Sequence, residues 1–117
     1  MKENVIQQKS YIFAIKIVEL YKHLTEVKKE FILSKQLLRA GTSIGANIEE
    51  AIGGQSRRDF VSKLAIAYKE ARETKYWLSL IRDTNYMTQE ELTQAFDQCE
   101  EIIKIIGKIQ STIKSSS

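Results

Sequence analysis

Residues 41–48 read Gly-Thr-Ser-Ile-Gly-Ala-Asn-Ile, and this stretch decides how the chain folds. The residues on either side follow helical spacing, yet two of these eight positions, Gly41 and Gly45, are glycine. Each glycine inside a helix costs roughly 0.5–1 kcal/mol relative to alanine, so a compensating interaction is needed. The usual one is a second helix packed close against the bare backbone. We therefore expect Gly41 and Gly45 to be helix-packing residues.

The same segment places two polar residues beside core positions. Asn47 precedes Ile48, and Glu50 precedes Ala51. Side chains at such positions are able to hydrogen-bond across a bundle and fix the register of its helices. The alternative is that both are solvated, which is the common environment of polar residues. Ser43 lies nearby, but a nucleophile needs a base within reach, and the small residues here favour packing.

The composition is that of one helical domain. The chain has 117 residues, of which 43% are hydrophobic and 28% charged, with five glycines and no proline. Domains commonly hold about 100–150 residues, and a chain this poor in turn residues favours long helices. We expect one all-α domain over residues 1–117. The apolar runs are too short to span a bilayer, and the N-terminus lacks the apolar region of a signal peptide.

Apolar spacing predicts helices at approximately residues 4–24, 34–53, 56–84 and 88–114. The third has the most regular core stripe, which comprises Phe60, Leu64, Ala67, Ala71, Thr74, Leu78 and Ile81. Four helices joined by short links predict an antiparallel up-down-up-down four-helix bundle.

Residues with capping chemistry mark the helix ends. Ser34 is the expected cap of the second helix and Ser56 that of the third, because a serine hydroxyl accepts a free backbone N–H. Thr88 and Glu91 have the spacing of a capping box at the start of the fourth. The glycines at 53–54 predict a helix end in the left-handed conformation.

Large apolar residues also occur outside the core stripes. On the third helix these are Ile66, Trp77 and Leu80, and the first helix has a second apolar row of Tyr11, Ile15 and Val18. Exposed apolar patches usually mark contacts with other chains. We therefore predict a homo-oligomer with Ile66, Trp77 and Leu80 in its interface. The alternative is that Trp77 covers one end of the bundle.

The third helix also carries the most positive part of the chain. Residues 55–87 hold seven basic and four acidic residues, while the whole chain has a net charge of +3. Six cations fall within an arc of about 140° on a helical wheel, and we name this set the basic arc: Arg57, Arg58, Lys69, Arg72, Lys75 and Arg82. With Tyr68 and Tyr76 nearby, the arc suits phosphate contact and base stacking. The alternative is a solvated face paired with Glu70, Glu73 and Asp83 within the helix.

No residue pattern indicates an enzyme. His23, the single histidine, has no evident catalytic partner, and Cys99, the single cysteine, occupies a core position. One histidine and one cysteine make no convincing metal site, and no phosphate-binding or dinucleotide motif is present. We expect no catalytic residues, no metal, no cofactor and no small-molecule substrate. An unpaired cysteine fits a reducing cytoplasm.

Several blocks of sequence resemble a known family. They lie at residues 37–51, 55–60, 63–67, 69–74 and 76–78, in order and with matching spacing. Together they are similar to the bacterial four-helix-bundle proteins encoded in intervening sequences of 23S ribosomal RNA genes, the S23 ribosomal protein family. Many relatives have proline at the position of Gly45 and glycine at that of Ala51, so the chain resembles one branch.

The resemblance implies an up-down four-helix bundle assembled as a homopentameric ring with no known enzyme activity. The word "ribosomal" reflects gene location and is weak evidence for ribosome binding. A related branch assists the reverse transcriptases of diversity-generating retroelements, where a basic ring is implicated in contacts with nucleic acid and polymerase. Two hypotheses follow for this chain. Either the basic arc binds nucleic acid or a nucleic-acid enzyme, or the protein is an interaction scaffold for other proteins.

Overall fold

A computed structural model describes residues 3–116, which fold into four helices joined by short links. Helix α1 spans Glu3–Glu26, α2 spans Leu33–Ile52, α3 spans Arg57–Asp83 and α4 spans Gln89–Ser115. All bounds lie within two residues of the predicted ones, and the described residues contain no strand. The prediction of an all-α bundle of four helices is confirmed.

The helices pack side by side in chain order around one core. The bundle measures 47 × 22 × 21 Å. Within the described residues, α1 packs on α2 and α4, and α3 packs on the same two helices. The pairs α1–α3 and α2–α4 are diagonal and do not meet. All four helices contribute buried side chains, among them Phe13, Ile44, Leu78 and Ile106.

The two glycines of α2 lie where α1 crosses it. A β-carbon added at Gly41 would lie 2.7 Å from Cγ1 of Ile17, and one at Gly45 would lie 3.4 Å from the carbonyl oxygen of Ser10. At 2.7 Å the atoms would overlap, so a side chain at position 41 is excluded unless Ile17 moves. Glycine at position 41 therefore lets the backbone of α2 contact the side chains of α1 directly.

Two of the predicted helix caps are confirmed. The Ser56 hydroxyl accepts the backbone N–H of Asp59 at 3.1 Å at the start of α3. At the start of α4, the Thr88 hydroxyl accepts the N–H of Glu91 at 3.1 Å, and the Glu91 carboxylate accepts the N–H of Thr88 at 2.8 Å. These reciprocal bonds form the expected capping box.

The predicted cap of α2 was wrong, because Glu30 takes the place of Ser34. The Glu30 carboxylate accepts three backbone N–H groups, from Ile32 at 3.2 Å, Leu33 at 3.0 Å and Ser34 at 2.7 Å. Ser34 lies inside the first turn, where its hydroxyl donates to the Glu30 carbonyl at 2.7 Å. Burial of Glu30 acts to raise its pKa, but the backbone N–H groups outweigh this and hold the pKa below its usual value.

The glycines after α2 do not adopt the left-handed conformation that we predicted. Gly53 has a φ of −82°, and no glycine among residues 3–116 has a positive φ. A β-carbon at Gly54 would lie 3.1 Å from Cβ of Asp59, so close approach of the next helix explains the glycine there. Left-handed residues occur instead in the other two links, at Lys29 with φ 56° and Asn85 with φ 69°.

Candidate nucleic-acid interface

The basic arc lies at the surface along nearly the full length of α3. Five of its cations are exposed and Arg82 is half-buried. The buried residues of α3 are confined to the predicted core stripe, from Leu64 to Ile81, with Phe60 half-buried at its start. The arc is therefore available to solvent in the folded chain.

Three cations of the arc are engaged by other groups. Arg57 Nη2 donates to the Ile113 carbonyl of α4 at 3.5 Å. Arg82 Nε contacts Asp83 Oδ1 at 2.8 Å, and Arg82 Nη1 donates to Gln89 Oε1 at 2.8 Å. Lys75 Nζ lies 3.3 Å from Glu100 Oε2 of α4. Arg82 is thus held by the last residue of α3 and the first residue of α4, whereas the Lys75 pair is exposed and of the kind that contributes about 1 kcal/mol or less.

Four cations of the arc have no carboxylate in contact. Within residues 3–116, Arg57, Arg58, Lys69 and Arg72 have no carboxylate oxygen within 4.0 Å of their charged nitrogens. Lys69 still interacts electrostatically with the Glu73 carboxylate at longer range, so Arg58 and Arg72 are the cations most available to an external anion.

The acidic residues expected to neutralise the arc face the other way. Glu70 and Glu73 both bind Arg39 of α2, with a distance of 3.3 Å between Arg39 Nη1 and Glu70 Oε1. Glu73 also accepts the indole N–H of Trp77 at 2.9 Å. That hydrogen bond, helped by Arg39 against partial desolvation, holds the pKa of Glu73 below its usual value. Of the three predicted intrahelical partners, Asp83 alone contacts a cation of the arc within residues 3–116, while Glu73 interacts with Lys69 at longer range.

The two tyrosines beside the arc have different environments. Tyr76 is 59% exposed, and its ring meets Trp77 edge to face with centroids 5.0 Å apart. Tyr68 is half-buried, and the Arg72 guanidinium carbon lies 5.9 Å from its ring centroid. Of the two, Tyr76 has the ring that is open to a ligand.

Helix α4 adds residues that the sequence reasoning missed. Arg72, Lys75 and Tyr76 line a groove of 430 Å³ together with Ile103 and Lys104 of α4. Lys104 lies on α4, outside the helix for which the basic arc was predicted. A helical wheel of α3 contains no information about the neighbouring helix. A helical wheel of α4, placed beside that of α3 in the predicted order of the bundle, could have indicated Lys104.

The residues predicted for an oligomer interface are half-buried. Ile66, Trp77 and Leu80 all have intermediate exposure, and Trp77 packs on the core. The most exposed apolar residues lie elsewhere, on the outer side of α1 and in the link to α2. We name the first set the apolar α1 face: Tyr11, Ile12, Ile15 and Val18. The link contributes Val27, Phe31 and Ile32. Three members of the apolar α1 face had been recognised in the sequence as its second apolar row.

The polar residues of α2 differ from the cross-bundle pair that we considered. Asn47 Nδ2 donates to the carbonyl of Ser43 at 2.8 Å within its own helix and, in the described residues, makes no hydrogen bond across the bundle. Glu50 does bridge two helices, with its carboxylate 2.7 Å from Lys63 Nζ of α3, but both side chains are at the surface. Surface exposure of Glu50 agrees with the solvated alternative.

The groups with reactive chemistry are separate from one another. Cys99 is fully buried, its thiol donates to the Ala71 carbonyl at 3.3 Å, and burial raises its pKa to about 12. His23 lies in the last turn of α1, and its Nε2 is buried without a hydrogen-bond partner in the described part of the chain. In residues 3–116 no three His, Cys, Asp or Glu side chains are grouped so as to hold a metal ion. In the same range, no helix combines the length and hydropathy needed to cross a membrane.

Comparison with known proteins agrees with the resemblance seen in the sequence. The family model for the 23S rRNA-intervening sequence protein matches residues 2–108. A solved structure from Bacteroides thetaiotaomicron VPI-5482, described as a protein with unknown function from the S23 ribosomal protein family, is 52% identical. The match covers 95% of this chain and 99% of that one, with a TM-score of 0.92. No curated protein sequence matches the chain.

Proposed function

The chain belongs to the family of 23S rRNA-intervening sequence proteins, and from that premise we propose that it is a non-enzymatic oligomer of the cytoplasm that binds nucleic acid or a nucleic-acid-processing partner. The binding surface in this proposal is the basic arc of α3. Family membership supplies the fold, and the solved relative is described as having unknown function. The function therefore has to be argued from the surface.

The observation that carries the proposal is the uncompensated charge of the basic arc. Arg58 and Arg72 have no carboxylate oxygen within 4.0 Å in the described residues, and Glu70 and Glu73 contact Arg39 of α2. Clustered cations on one helix face are the electrostatic footprint of a nucleic-acid-binding protein. Phosphate neutralisation releases counterions, so affinity should fall steeply as salt concentration rises.

The assembly in this proposal is a homopentameric ring of antiparallel up-down-up-down bundles. The antiparallel arrangement is supported by partners that run in opposite chain directions, since Gln7 pairs with Glu49 while Ile17 lies against Gly41. The oligomer is supported by the apolar α1 face, because contiguous exposed apolar side chains usually mark an interface. Helices α1 and α3 are diagonal, so contacts through α1 leave the basic arc open.

Two substitutions distinguish the candidate interfaces. We expect Ile15→Glu, in the apolar α1 face, to convert the oligomer to monomer, as measured by light scattering. Trp77→Ala tests the interface predicted from the sequence, and its half-buried indole makes assembly less sensitive to that change. If Trp77→Ala dissociates the oligomer while the Ile15→Glu variant stays oligomeric, the interface lies on α3 instead of α1.

The binding test uses labelled RNA and duplex DNA over a salt series, with the mass measured in parallel. The double charge reversal of Arg58→Glu and Arg72→Glu should weaken binding by at least about tenfold and flatten the salt dependence. Lys22→Glu is the matched control, because Lys22 is also exposed but lies on α1. Unchanged affinity in the double variant would remove the basic arc from the binding surface.

The second candidate function is a protein-interaction scaffold with no nucleic-acid role. It is favoured by a second group of large, exposed apolar side chains in the link between α1 and α2, namely Val27, Phe31 and Ile32. An intact oligomer that binds neither RNA nor duplex DNA at low salt would establish this alternative over the first. Its partner would then have to be sought among proteins.

A further inference from the structure

The seam between α3 and α4 carries more positive charge than the basic arc alone. Arg72 and Lys75 of α3 share a space of 430 Å³ with Lys104 of α4. Farther along the same seam, Arg57 of α3 and Lys114 of α4 line a second space of 500 Å³. We name these two spaces together the α3–α4 groove. From Arg57 to Arg72 it extends over roughly 22 Å of helix, at about 1.5 Å per residue.

Little of this charge is neutralised within the protein. Glu100 pairs with Lys75 at 3.3 Å, and both side chains are half exposed. Among residues 3–116, Arg72, Lys104 and Lys114 have no carboxylate oxygen within 4.0 Å of their charged nitrogens. The α3–α4 groove therefore holds a row of cations with one acidic residue pairing among them, which favours a polyanion over an isolated carboxylate.

An exposed aromatic ring stands at one end of this row. Tyr76 lines the 430 Å³ space and is supported from the side by Trp77, at an interplanar angle of 74°. Tyr68 cannot take the same role, because it lies over Gly107, whose added β-carbon would be 3.6 Å from the Tyr68 ring, and the Arg72 guanidinium lies on it. Cations that follow a backbone, combined with an aromatic platform, are the features with which proteins hold single strands.

We propose that the α3–α4 groove binds a single strand of RNA or DNA, with phosphates on its cations and one unpaired base on Tyr76. The proposal rests on the nucleic-acid function proposed above and names the form of nucleic acid recognised. In a duplex the base faces are stacked on one another and are not free to pack on a tyrosine. A duplex would use the phosphate contacts alone and would gain nothing from Tyr76.

The test compares a short unstructured single strand with a hairpin duplex by fluorescence anisotropy. The single strand should bind more tightly, and Tyr76→Ala should weaken it roughly 5- to 150-fold, the range for loss of one base–aromatic stack. Tyr76→Phe should retain the affinity, because phenylalanine keeps the ring. Phe31→Ala is the matched control, since Phe31 is 60% exposed but lies in the link between α1 and α2, outside both the α3–α4 groove and the apolar α1 face.

The cations are tested in the same assay. Lys104→Glu should weaken single-strand binding and reduce the salt slope by about 0.7, the value for one phosphate contact on a single strand. The same change at Lys22 of α1 should have no effect. The four residues substituted in these tests are all exposed, so circular dichroism should show the helices of every variant to be intact.

The outcomes separate this proposal from the one on which it rests. A duplex that binds as tightly as the single strand, with Tyr76→Ala unchanged, overturns the α3–α4 groove proposal and leaves nucleic-acid binding by the basic arc in place. Absence of binding to either form at low salt overturns both. Preference for the single strand that is lost in Tyr76→Ala but kept in Tyr76→Phe supports the proposal.

Discussion

Between α1 and α2 the helices meet backbone against side chain, whereas between α3 and α4 long charged and aromatic side chains line open space at the surface. The α1–α2 seam leaves a space of only 160 Å³ near Gly45, compared with 430 and 500 Å³ along the α3–α4 groove. Small residues allow α1 and α2 to pack closely, and this packing stabilises the fold. Arginine, lysine and tyrosine leave the second seam accessible, so one bundle contains a seam suited to stability and another suited to binding.

The largest expected effect concerns the reactivity of the cysteine beneath the α3–α4 groove. Cys99 lies beneath it, between α3 and α4, and its pKa of about 12 leaves very little thiolate near neutral pH. Thiol labelling at pH 8 should be slower by a factor on the order of 10³ or more in the native protein than in the urea-unfolded chain. Rapid labelling of the native protein would show that the α3–α4 groove reaches the core and that the seam is open throughout.

The closed seam can be broken at Gly41. The β-carbon of Gly41→Ala would overlap Ile17, which should lower the free energy of unfolding by about 1–3 kcal/mol, as in other overpacked cores. Gly45→Ala is the matched control, because its β-carbon would make an ordinary contact and the helix gains up to about 1 kcal/mol. Urea unfolding measures both. Equal stability of Gly41→Ala and the wild type would mean that Ile17 yields without cost.

The N-terminus of α2 is capped by an ionised carboxylate, that of Glu30. Glu30→Ala should destabilise the protein by about 1–2 kcal/mol at neutral pH, the usual cost of losing a helix cap. Because the folded-state pKa of Glu30 is lowered, its stabilisation is complete above the unfolded value of about 4.3 and is lost as the pH falls through the folded value. The difference between variant and wild type should therefore shrink in acid.

Urea unfolding at a series of pH values follows this difference. Glu26→Ala serves as the control, since Glu26 is exposed at the end of α1 and should change stability by no more than about 0.5 kcal/mol. A Glu30→Ala deficit that stays constant down to pH 3 would mean that the neutral carboxyl caps α2 as well as the ion does.

The smallest expected effect comes from increasing the positive charge of the α3–α4 groove. Glu100→Gln frees Lys75 from its ion pair, and an exposed pair contributes about 1 kcal/mol or less. If the α3–α4 groove holds nucleic acid, affinity should rise by up to about fivefold at low salt. Glu101→Gln is the control, because Glu101 pairs with Lys9 of α1 across the opposite side of α4. Equal gains in both variants would indicate a general charge effect.

Features that depend on neighbours in the chain were predictable from the sequence. The capping box of Thr88 and Glu91 requires three residues of spacing and nothing else, so the pattern and the structure agree. Gly41 also gave a reliable signal, because an unfavourable residue inside a helix needs a tertiary reason and Ile17 supplies it, whereas a β-carbon at Gly45 would make only an ordinary contact. Both signals lie within one helix or at its end, where periodicity is informative.

Features that depend on two helices at once were not predictable from a single stripe. Lys104 joins the α3–α4 groove only because α4 packs beside α3, and Arg39 removes Glu70 and Glu73 from the basic arc only because α2 packs on its other side. The cap by Glu30 was missed for a local reason. Glutamate has a longer side chain than the usual capping residues. The hydroxyl of Ser34 therefore made serine the expected cap instead.

The diagonal placement of α1 and α3 has a consequence for avidity. In the oligomer proposed above, joined through the apolar α1 face, each copy would present its own α3–α4 groove. A strand long enough to reach a second groove would bind there at the high effective concentration set by its own length, whereas a strand that fills one groove would gain nothing. Weak individual sites would thus discriminate strands by length, and the steepness of that dependence would report the spacing of the copies.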